Sequence, residues 1–409
     1  MTETEQSIAA RIPDYALAVM NILERAGHRG YLVGGSLRDL LRGTEPHDFD
    51  MTTDALPEEM VEIFKDLRTI PTGLKHGTLT VLSAGHSIEV TTHRVDGEYP
   101  DGRHPESVSF TRRLADDLSR RDFTVNAMAY HPETGLVDLF SGRADLAAGI
   151  IRAVGDPVTR FTEDALRILR AFRFSAQLDF AIEPATLAGA KTCRAGLLQI
   201  SPERIFAEVT RLLTSPAACR GLEAMFAAEC EKYSFFDTVV PLNRAISLEK
   251  IPADAPLRLA YLLRGTDETV ARELCRRWHS SNAFADRLCG LLRAAAAPLP
   301  HNAYEARRFV CAAWHTWEDA FAIRRADGED PAEAFTLCKT VAKNGTAVEI
   351  RRLAVNGREL QEQTGVRPER TGALLLRLQD LVWQEPARNK KITLLELAKE
   401  IVAGDGGFR

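Results

Sequence analysis

Several features are missing from this sequence of 409 residues, and each absence excludes a class of protein. The seven cysteines lie between Cys193 and Cys338 without a CxxC pair, so neither a zinc site nor a disulfide framework is indicated. No stretch approaches 18 uninterrupted apolar residues, and the opening "MTETEQSIAARIPD" lacks the apolar region of a signal peptide. We therefore expect a cytoplasmic protein with no membrane span.

Positive charge is not in excess either. The chain has 52 Lys and Arg residues against 57 Asp and Glu residues, which gives a formal net charge of -5. Any binding of nucleic acid must therefore depend on a local basic surface, because the overall charge does not favour it. The composition, with 45% hydrophobic and 27% charged residues, is that of an ordinary globular protein of two to four domains.

Helix and strand patterns alternate in the first 140 or so residues. Apolar residues recur at helical spacing from Tyr15 to Ala26, "SLRDLLRG" and "LPEEMVEIFKDL" predict further helices, and "GYLVGG", "DFDM" and "HGTLTVLSAGHSIEVTTHR" predict strands. After Gly155 the strand patterns almost disappear, and helical patterns such as "RFTEDALRILRAFRFSAQL" and "SPERIFAEVTRLL" dominate. The sequence predicts an α+β fold, with a small head containing a mixed sheet followed by an extended all-α region.

The stretch "GGSLRD" could bind a phosphate. Gly34 and Gly35 let the backbone approach a ligand closely, and the next helix would direct its first N–H groups at the same place. Arg38 could add a charge-assisted hydrogen bond. The structural alternative is a tight strand-to-helix turn with an exposed Arg-Asp pair.

The stretch "DFD" brings two carboxylates together. On a strand, Asp48 and Asp50 would share one face, and their repulsion would be relieved by a divalent cation. Oxygen ligands of this kind favour Mg²⁺, and Glu89 on a neighbouring predicted strand could complete a two-metal site. The alternatives are a solvated acidic face on the strand and an outward-facing Glu89.

Two further stretches carry polar side chains at helical spacing. In "RRDFTVNAMAY", Arg121 could bind a phosphate while Asp122 and Asn126, four residues apart on a short helix, address ribose hydroxyls. The alternative is an ordinary helix capped by Asp122. In "EDALRILRAFRF", Asp164 and Arg167 share one face of a helix.

That pair could act as a hydrogen-bond template. Asp164 can accept from the exocyclic amine of cytosine or adenine, and Arg167 can donate to a ring nitrogen or to O2 of cytosine. Uracil and guanine present the opposite pattern, so the pair would accept C and A and refuse U and G. The alternative is an amphipathic helix with an ion pair worth about 0.2–0.5 kcal/mol.

Five stretches occur in one order between residues 31 and 212: "LVGGSLRDLLRG…DFDM", "RRDFTVNAMAY", "GLVDLFSGRADL", "RFTEDALRILRAFRF" and "ISPERIFAEV". Together they resemble the class II tRNA nucleotidyltransferases, the CCA-adding enzymes of the polymerase-beta-like superfamily. The later "LAVNGREL" resembles the tail of the bacterial form without an HD domain. Leu37 and Met51 differ from the residues common in the family, and neither carries chemistry.

The resemblance implies four regions: a catalytic head over 1–150, a base-reading neck over 151–215, a helical body over 216–300, and a tRNA-binding tail over 301–409. It also implies roles for the site residues. Mg²⁺ would be held by Asp48 and Asp50, with Glu89 as a further catalytic carboxylate; the nucleotide would be bound by Gly34, Gly35, Arg38, Arg121, Asp122, Asn126, Asp164, Arg167 and Arg170. Glu203 and Arg204 of "ISPERIFAEV" are expected to be structural.

The implied activity is template-independent transfer of CMP, CMP and AMP from CTP and ATP to a tRNA 3′ end. "PTGLKHGTLTV" lacks the basic run of polyadenylating relatives, and "VDGEYPDGRHPE", from Val95 to Glu106, resembles the flexible loop of enzymes that add the final A. An A-adding enzyme or a poly(A) polymerase is the nearest alternative, and a non-catalytic RNA-binding protein is a more distant one. The oligomeric state is left open, with a monomer favoured.

Overall fold

The computed structural model describes residues 7–97, 108–234, 248–313 and 315–404. The chain divides into two compact units: residues 1–249 with 277–279, and residues 250–276 with 280–409. The predicted loop from Val95 to Glu106 falls largely outside the described residues. The four-part division into head, neck, body and tail stays a prediction.

The described part of the first unit contains a seven-stranded mixed sheet and two short two-stranded sheets. The strands of the unit are β1 Gly30–Val33, β2 Phe49–Thr53, β3 Arg68–Gly73, β4 Thr78–Ser83, β5 His86–Thr92, β6 Arg94–Asp96, β7 Val108–Phe110, β8 Met128–His131, β9 Gly135–Asp138, β10 Ile150–Ile151 and β11 Ala181–Ile182. The order in the main sheet is β3-β4-β5-β2-β1-β8-β9. Its neighbouring strands are antiparallel except for β2 and β5, which run parallel and place Asp50 opposite Glu89.

Alternation along the strands separates the core face of this sheet from the other face. Ile88 and Val90 of β5 are fully buried, whereas Glu89 between them is exposed. The buried side chains pack with those of the helix Asp14–Arg25, among them Val19 and Leu23. Glu89 therefore lies on the face away from this core, as the period of two along a strand requires.

The remaining helices of the first unit surround the sheet and continue beyond it. They are Gly34–Leu41, Pro57–Ile63, Leu114–Ser119, Gly142–Ala148, Pro157–Glu163, Leu166–Leu178, Pro184–Cys193, Pro202–Leu213 and Ala218–Ala227. The predicted helices before residue 70 and the strands on both sides of "SAGH" are confirmed. The prediction of an α+β head with a mixed sheet is likewise confirmed.

Two predicted helices differ from the structure. The pattern "RFTEDALRILRAFRFSAQL" forms two helices, because Asp164 is extended, with φ -140° and ψ 103°, and ends the first of them. The stretch "RRDFTVNAMAY" contains only a single 3-10 turn over Thr124–Asn126, which leads directly into β8. Both breaks matter because each one redirects side chains of the predicted site.

The second unit is helical in its described part. Its helices are Ala255–Leu263, Glu268–Arg277, Asn282–Ala296, Ala303–Ala312, Trp317–Ala326, Ala332–Lys343, Gly357–Thr364, Pro368–Gln384 and Lys391–Gly404. Two apolar clusters hold them together, one around Phe309 and Phe321 and the other around Leu374 and Leu394. None of the helices in the described ranges is both long and apolar enough to span a membrane.

Candidate active site

A cleft of about 620 Å³ in the first unit collects every predicted site residue. The twelve are Gly34, Gly35, Arg38, Asp48, Asp50, Glu89, Arg121, Asp122, Asn126, Asp164, Arg167 and Arg170. They come from five separate stretches of the chain, so the fold brings together residues that lie up to more than 130 positions apart in the sequence. The structure therefore brings the twelve residues together, although several contacts among them differ from the predicted ones; their roles stay predictions.

Two arginines lie near the glycines at the start of the helix Gly34–Leu41. Gly34 has φ +69°, a conformation that L side chains rarely adopt. A Cβ at Gly34 would lie 3.6 Å from Nη1 of Arg121, and one at Gly35 would lie 3.6 Å from Nη2 of Arg38. Two guanidinium groups therefore lie next to the N-terminus of a helix, which is a favourable surrounding for a phosphate.

Three carboxylates, Asp48, Asp50 and Glu89, form what we call the acidic cluster. Asp48 lies just before β2 and is exposed, so the strand itself contains only the second aspartate of "DFD". Burial, together with the nearby charges of Asp48 and Glu89, raises the pKa of Asp50 to about 6, although Arg121 opposes the shift. The cluster thus holds negative charge that the protein alone leaves partly uncompensated.

This chemistry fits a divalent cation, since hard oxygen donors that repel one another are stabilised by one. The three carboxylates do not, however, form a closely spaced set of ligands. Among the described residues, the one group of three potential ligands whose atoms all lie within 4.8 Å of one another is Glu24, His131 and Glu133, away from the cleft. There, His131 Nε2 lies 3.0 Å from Glu24 Oε1 and the Glu133 N–H donates to His131 Nδ1, so these groups already satisfy one another.

A series of hydrogen bonds connects the helix Gly34–Leu41, which we call the glycine helix, to the helix Leu166–Leu178. Arg38 Nη1 donates to Asn126 Oδ1 over 2.9 Å, and Asn126 Nδ2 donates to Asp122 Oδ1 over 3.2 Å. Arg170 Nε in turn donates to Asp122 Oδ2 over 2.8 Å. Burial alone would raise the pKa of Asp122, but Arg170 beside it holds the pKa at about 2. Asp122 and Asn126 thus contact each other, although the stretch between them contains a single 3-10 turn and not the predicted α-helix.

A buried aspartate holds two more cleft arginines. Asp117 is fully buried and accepts from Arg120 Nη2 at 2.6 Å and from Arg121 Nη2 at 2.9 Å. Burial would raise the pKa of Asp117, yet the two guanidinium groups hold it well below its usual range. Behind Asp117, Thr52 Oγ1 shares a hydrogen bond of 2.8 Å with Nδ1 of the buried His93.

The predicted side-chain pair of Asp164 and Arg167 is not formed. Because the chain is extended at Asp164, its Oδ1 accepts from the Leu166 N–H at 3.0 Å and its Oδ2 accepts from Arg204 Nη2 at 3.1 Å. Arg167 Nη1 instead donates to Glu163 Oε2 at 2.6 Å, and its Nη2 donates to a backbone carbonyl at 2.9 Å. The two side chains still line the same cleft, each held by a different partner.

Several cleft residues were absent from the sequence-based set. They include Thr78, Thr91, Arg94, Arg120, Arg173, Phe174, Gln177 and Arg204. A helical pattern could have found part of them, because Arg167, Arg170, Phe174 and Gln177 recur at intervals of three and four along the helix Leu166–Leu178. Arg204, expected to be purely structural, contacts Asp164 in the cleft.

Comparison with known families agrees with this arrangement. Residues 30–152 match the family described as "Poly A polymerase head domain", and residues 179–235 match the one described as "Probable RNA and SrmB- binding site of polymerase A". The first match contains the glycine helix, the acidic cluster and the stretch around Asp122. The second begins after the helix Leu166–Leu178.

Individual relatives extend the similarity to the whole chain. The CCA-adding enzyme of Pediococcus pentosaceus is 33% identical over 407 residues, which cover 95% of this chain and 98% of that enzyme. The CCA-adding enzyme of Levilactobacillus brevis is 42% identical over 275 residues, covering 66% of this chain and 68% of that enzyme.

Solved structures show the same similarity. The Bacillus stearothermophilus CCA-adding enzyme in complex with CTP has a TM-score of 0.82 and 31% identity, with 99% of each chain covered. The Thermotoga maritima CCA-adding enzyme complexed with tRNA has a TM-score of 0.70 at 21% identity, and it supports the fold alone. Because the Pediococcus pentosaceus enzyme matches this chain over nearly its full length, this chain belongs to the family of the CCA-adding enzymes.

Proposed function

We propose that this chain adds C, C and A in turn to the 3′ end of tRNA, using CTP and ATP and releasing pyrophosphate. The observation that carries the proposal is the single cleft in which an acidic cluster, a glycine-flanked helix start and several fixed arginines meet. Family membership supports the same activity, since the relatives are CCA-adding enzymes and not A-adding enzymes or poly(A) polymerases.

In the proposed reaction the tRNA 3′ hydroxyl attacks the α-phosphorus of the nucleotide in line, and pyrophosphate leaves. Gly34, Gly35 and Arg38 would receive the triphosphate, with Arg121 on the same phosphates, since both guanidinium groups lie against the glycines. These donors are already fixed by protein partners, so they need little rearrangement when charge develops in the transition state. Positioning and charge stabilisation would supply most of the rate enhancement.

Asp48 and Asp50 would hold Mg²⁺, with Glu89 as a third carboxylate beside them. When bound, this ion would favour ionisation of the attacking hydroxyl and neutralise charge on the phosphates. The raised pKa of Asp50 supports the assignment, because a cation relieves the repulsion that causes part of the shift.

Asp122 and Asn126 are proposed to address the ribose, and their oxygens also anchor the arginines on either side of them. Asp164 and Arg167 are proposed to read the base. Arg204 keeps Asp164 facing the cleft as an acceptor, and Glu163 keeps Arg167 there as a donor. This arrangement accepts cytosine and adenine and leaves uracil and guanine with unpaired groups, which costs about 1–3 kcal/mol for each buried group.

The helical second unit would bind the tRNA by its shape and phosphates. Local basic residues are available there, for example Arg388, Lys390 and Lys391. We place the activity in the cytoplasm, a reducing compartment in which all seven cysteines would stay free, as they are in the structure.

The test uses the purified chain with Mg²⁺ and four tRNA substrates that end before CC, after C, after CC and after CCA. Each is incubated with CTP, with ATP and with both nucleotides, and the products are sequenced. We expect C addition to the first two, A addition only after CC, and no extension of the complete end. Addition of A alone, or a run of A residues, would instead assign one of the narrower activities.

A further inference from the structure

The ring of Phe174 lies among three of the cleft arginines. The guanidinium carbon of Arg173 is 3.9 Å from the ring centre, that of Arg170 is 5.3 Å away, and that of Arg38 is 5.4 Å away. All three distances are within the range of a cation–π interaction. The ring is 6% exposed and lines the cleft, so it is not simply a side chain of the apolar core.

Protein partners hold the three guanidinium groups around this ring without using all their donors. Arg173 Nε donates to Glu208 and its Nη1 donates to Gln177, while Arg170 donates to Asp122 through Nε and Nη2. Within the described ranges, Nη2 of Arg173 and Nη1 of Arg170 have no hydrogen-bond partner. These two N–H₂ groups belong to side chains that line the cleft, so they can serve a ligand there.

We propose that Phe174 is a positioning residue that gathers Arg38, Arg170 and Arg173 into one phosphate-binding surface. The proposal rests on the activity proposed above. Three cations that converge repel one another, and the negative face of an aromatic ring offsets part of this repulsion without occupying any N–H donor. A carboxylate in its place would compete with the phosphate for those donors, whereas an aromatic ring does not.

Phe174 reaches this position through the spacing of its helix. Arg170 and Phe174 are four residues apart and so lie on one face, while the fully buried Phe172 lies on the face that packs into the core. Phe123 packs against the Phe174 ring in a T-shaped contact, at a centroid distance of 5.8 Å and an interplanar angle of 79°. Phe123 follows Asp122 directly, so the ring and the carboxylate that holds Arg170 are anchored by adjacent residues.

The test compares Phe174→Leu, which removes the ring, with Phe174→Tyr, which keeps it. Phe172→Leu is the matched control, because it makes the same chemical change in the core of the same helix. Binding of inorganic tripolyphosphate to each full-length variant is measured by calorimetry without metal, and binding of tRNA lacking CCA by filter retention. KM and kcat for CTP and ATP are measured alongside, together with thermal midpoints.

We expect Phe174→Leu to weaken phosphate binding about tenfold, and Phe174→Tyr to stay within about twofold of the unchanged protein. Weaker tripolyphosphate binding with a raised KM for both nucleotides identifies the triphosphate as the ligand. Weaker tRNA binding alone identifies a phosphate of the RNA. The proposal is overturned if Phe174→Leu and Phe172→Leu affect both ligands equally, because the ring would then be only a packing group.

Because tripolyphosphate binding needs no turnover, this result is independent of whether the chain adds CCA. A chain that fails the addition assay can still show the difference between the two leucine variants. Conversely, normal CCA addition with identical binding in all variants would leave the proposed function intact and reject the role of Phe174.

Discussion

The acidic cluster and the arginines of the cleft are built in opposite ways. Within the described part of the chain, Asp48, Asp50 and Glu89 form no ion pair, and burial and mutual repulsion raise the pKa of Asp50. The arginines, in contrast, are held by carboxylates, an amide and backbone carbonyls, as Arg170 is by Asp122 and Arg121 by Asp117. One group of charges is left for an incoming cation, and the other is fixed before any ligand arrives.

This difference shows which part of the site the protein prepares by itself. Fixed donors lower the reorganisation needed when charge develops on a phosphate. Carboxylates without protein partners keep their full acceptor capacity for a metal, at the cost of repulsion in the metal-free chain. Removing a carboxylate of the acidic cluster should therefore affect chemistry, whereas removing an anchor of the arginines should affect both stability and selectivity.

The largest effect is expected for Asp48→Ala and Asp50→Asn. Both should abolish C addition and A addition together, by at least about a thousandfold, because both steps would share one metal site and its stabilisation of charge. Binding of tRNA should remain largely intact. The measurement is single-nucleotide incorporation with Mg²⁺, with the exposed Asp66→Asn as control. Near-normal turnover in either variant would show that the metal assignment is wrong.

A large loss of stability is expected for Asp122→Ala, which leaves Arg170 without its carboxylate. Breaking a buried pair costs about 3–5 kcal/mol, and because the Arg170 side chain is 34% exposed we expect about 2–3 kcal/mol of unfolding free energy. Urea unfolding measures it. If the cost comes from the unpaired guanidinium, then Asp122→Ala combined with Arg170→Met should be more stable than Asp122→Ala alone. An equal or greater loss in the double variant would contradict this explanation.

Arg167→Ala should weaken base selection more than phosphoryl transfer. A lost charge-assisted hydrogen bond is worth about 1.5–3 kcal/mol, so discrimination against UTP and GTP should fall roughly ten- to hundredfold. Glu163→Gln keeps the guanidinium and loses only its ion pair, so it should reduce discrimination less. Ratios of kcat/KM for the four nucleotides measure both. An equal loss for all four would show that the base is read by other groups.

The sequence predicted twelve residues that line the cleft, but it missed other lining residues and several of the contacts among them. Asp50 and Glu89 were predicted on neighbouring strands, and β2 and β5 place them directly opposite each other. The predicted pairing of Asp164 with Arg167 was wrong, because the helical pattern of "EDALR" cannot show that the chain is extended at Asp164. Its true partner, Arg204, lies 40 residues away, and no local spacing predicts such a contact.

Similarly, the roles of Asp117 and Asn126 as anchors of the cleft arginines depend on tertiary structure. Asp117 lies four residues before Arg121, a helical spacing that is common on solvated surfaces. Only its complete burial shows that it is a fixed anchor for two cleft arginines. The helical periodicity of the second unit predicted its fold class, but not its long-range polar contacts, such as the hydrogen bond of 2.6 Å from Tyr304 Oη to Asp380 Oδ1.

The smallest predicted effect concerns how two titratable groups, His93 behind the arginine anchor Asp117 and Asp50 of the acidic cluster, change the stability of the protein as the pH is lowered. Burial lowers the pKa of His93, which lies behind Asp117, to about 4, below the roughly 6.5 expected in an unfolded chain. Between these values the unfolded chain binds the proton and the folded chain does not, so stability falls as the pH is lowered. The contribution of Asp50 to stability changes with pH in the opposite direction. Its pKa of about 6 in the folded chain lies above that of an unfolded aspartate, so the folded chain gains a proton first and stability rises as the pH is lowered.

We therefore expect the contributions of His93 and Asp50 to the pH dependence of stability to offset each other in the metal-free protein. A substitution of either residue alone should reveal the contribution of the other. His93→Asn can keep the hydrogen bond to Thr52 and removes the titration, so the loss of stability from pH 6.5 to pH 5 should be about 1.5 kcal/mol smaller than in the unchanged protein, enough to turn it into a gain. Asp50→Asn should instead enlarge that loss, since the folded chain no longer gains a proton there. Urea unfolding at several pH values in the presence of EDTA measures both slopes. If the unfolding free energy of His93→Asn depends on pH as that of the unchanged protein does, then the buried histidine is not held neutral. The region behind Asp117 would then be less shielded from water than its burial suggests.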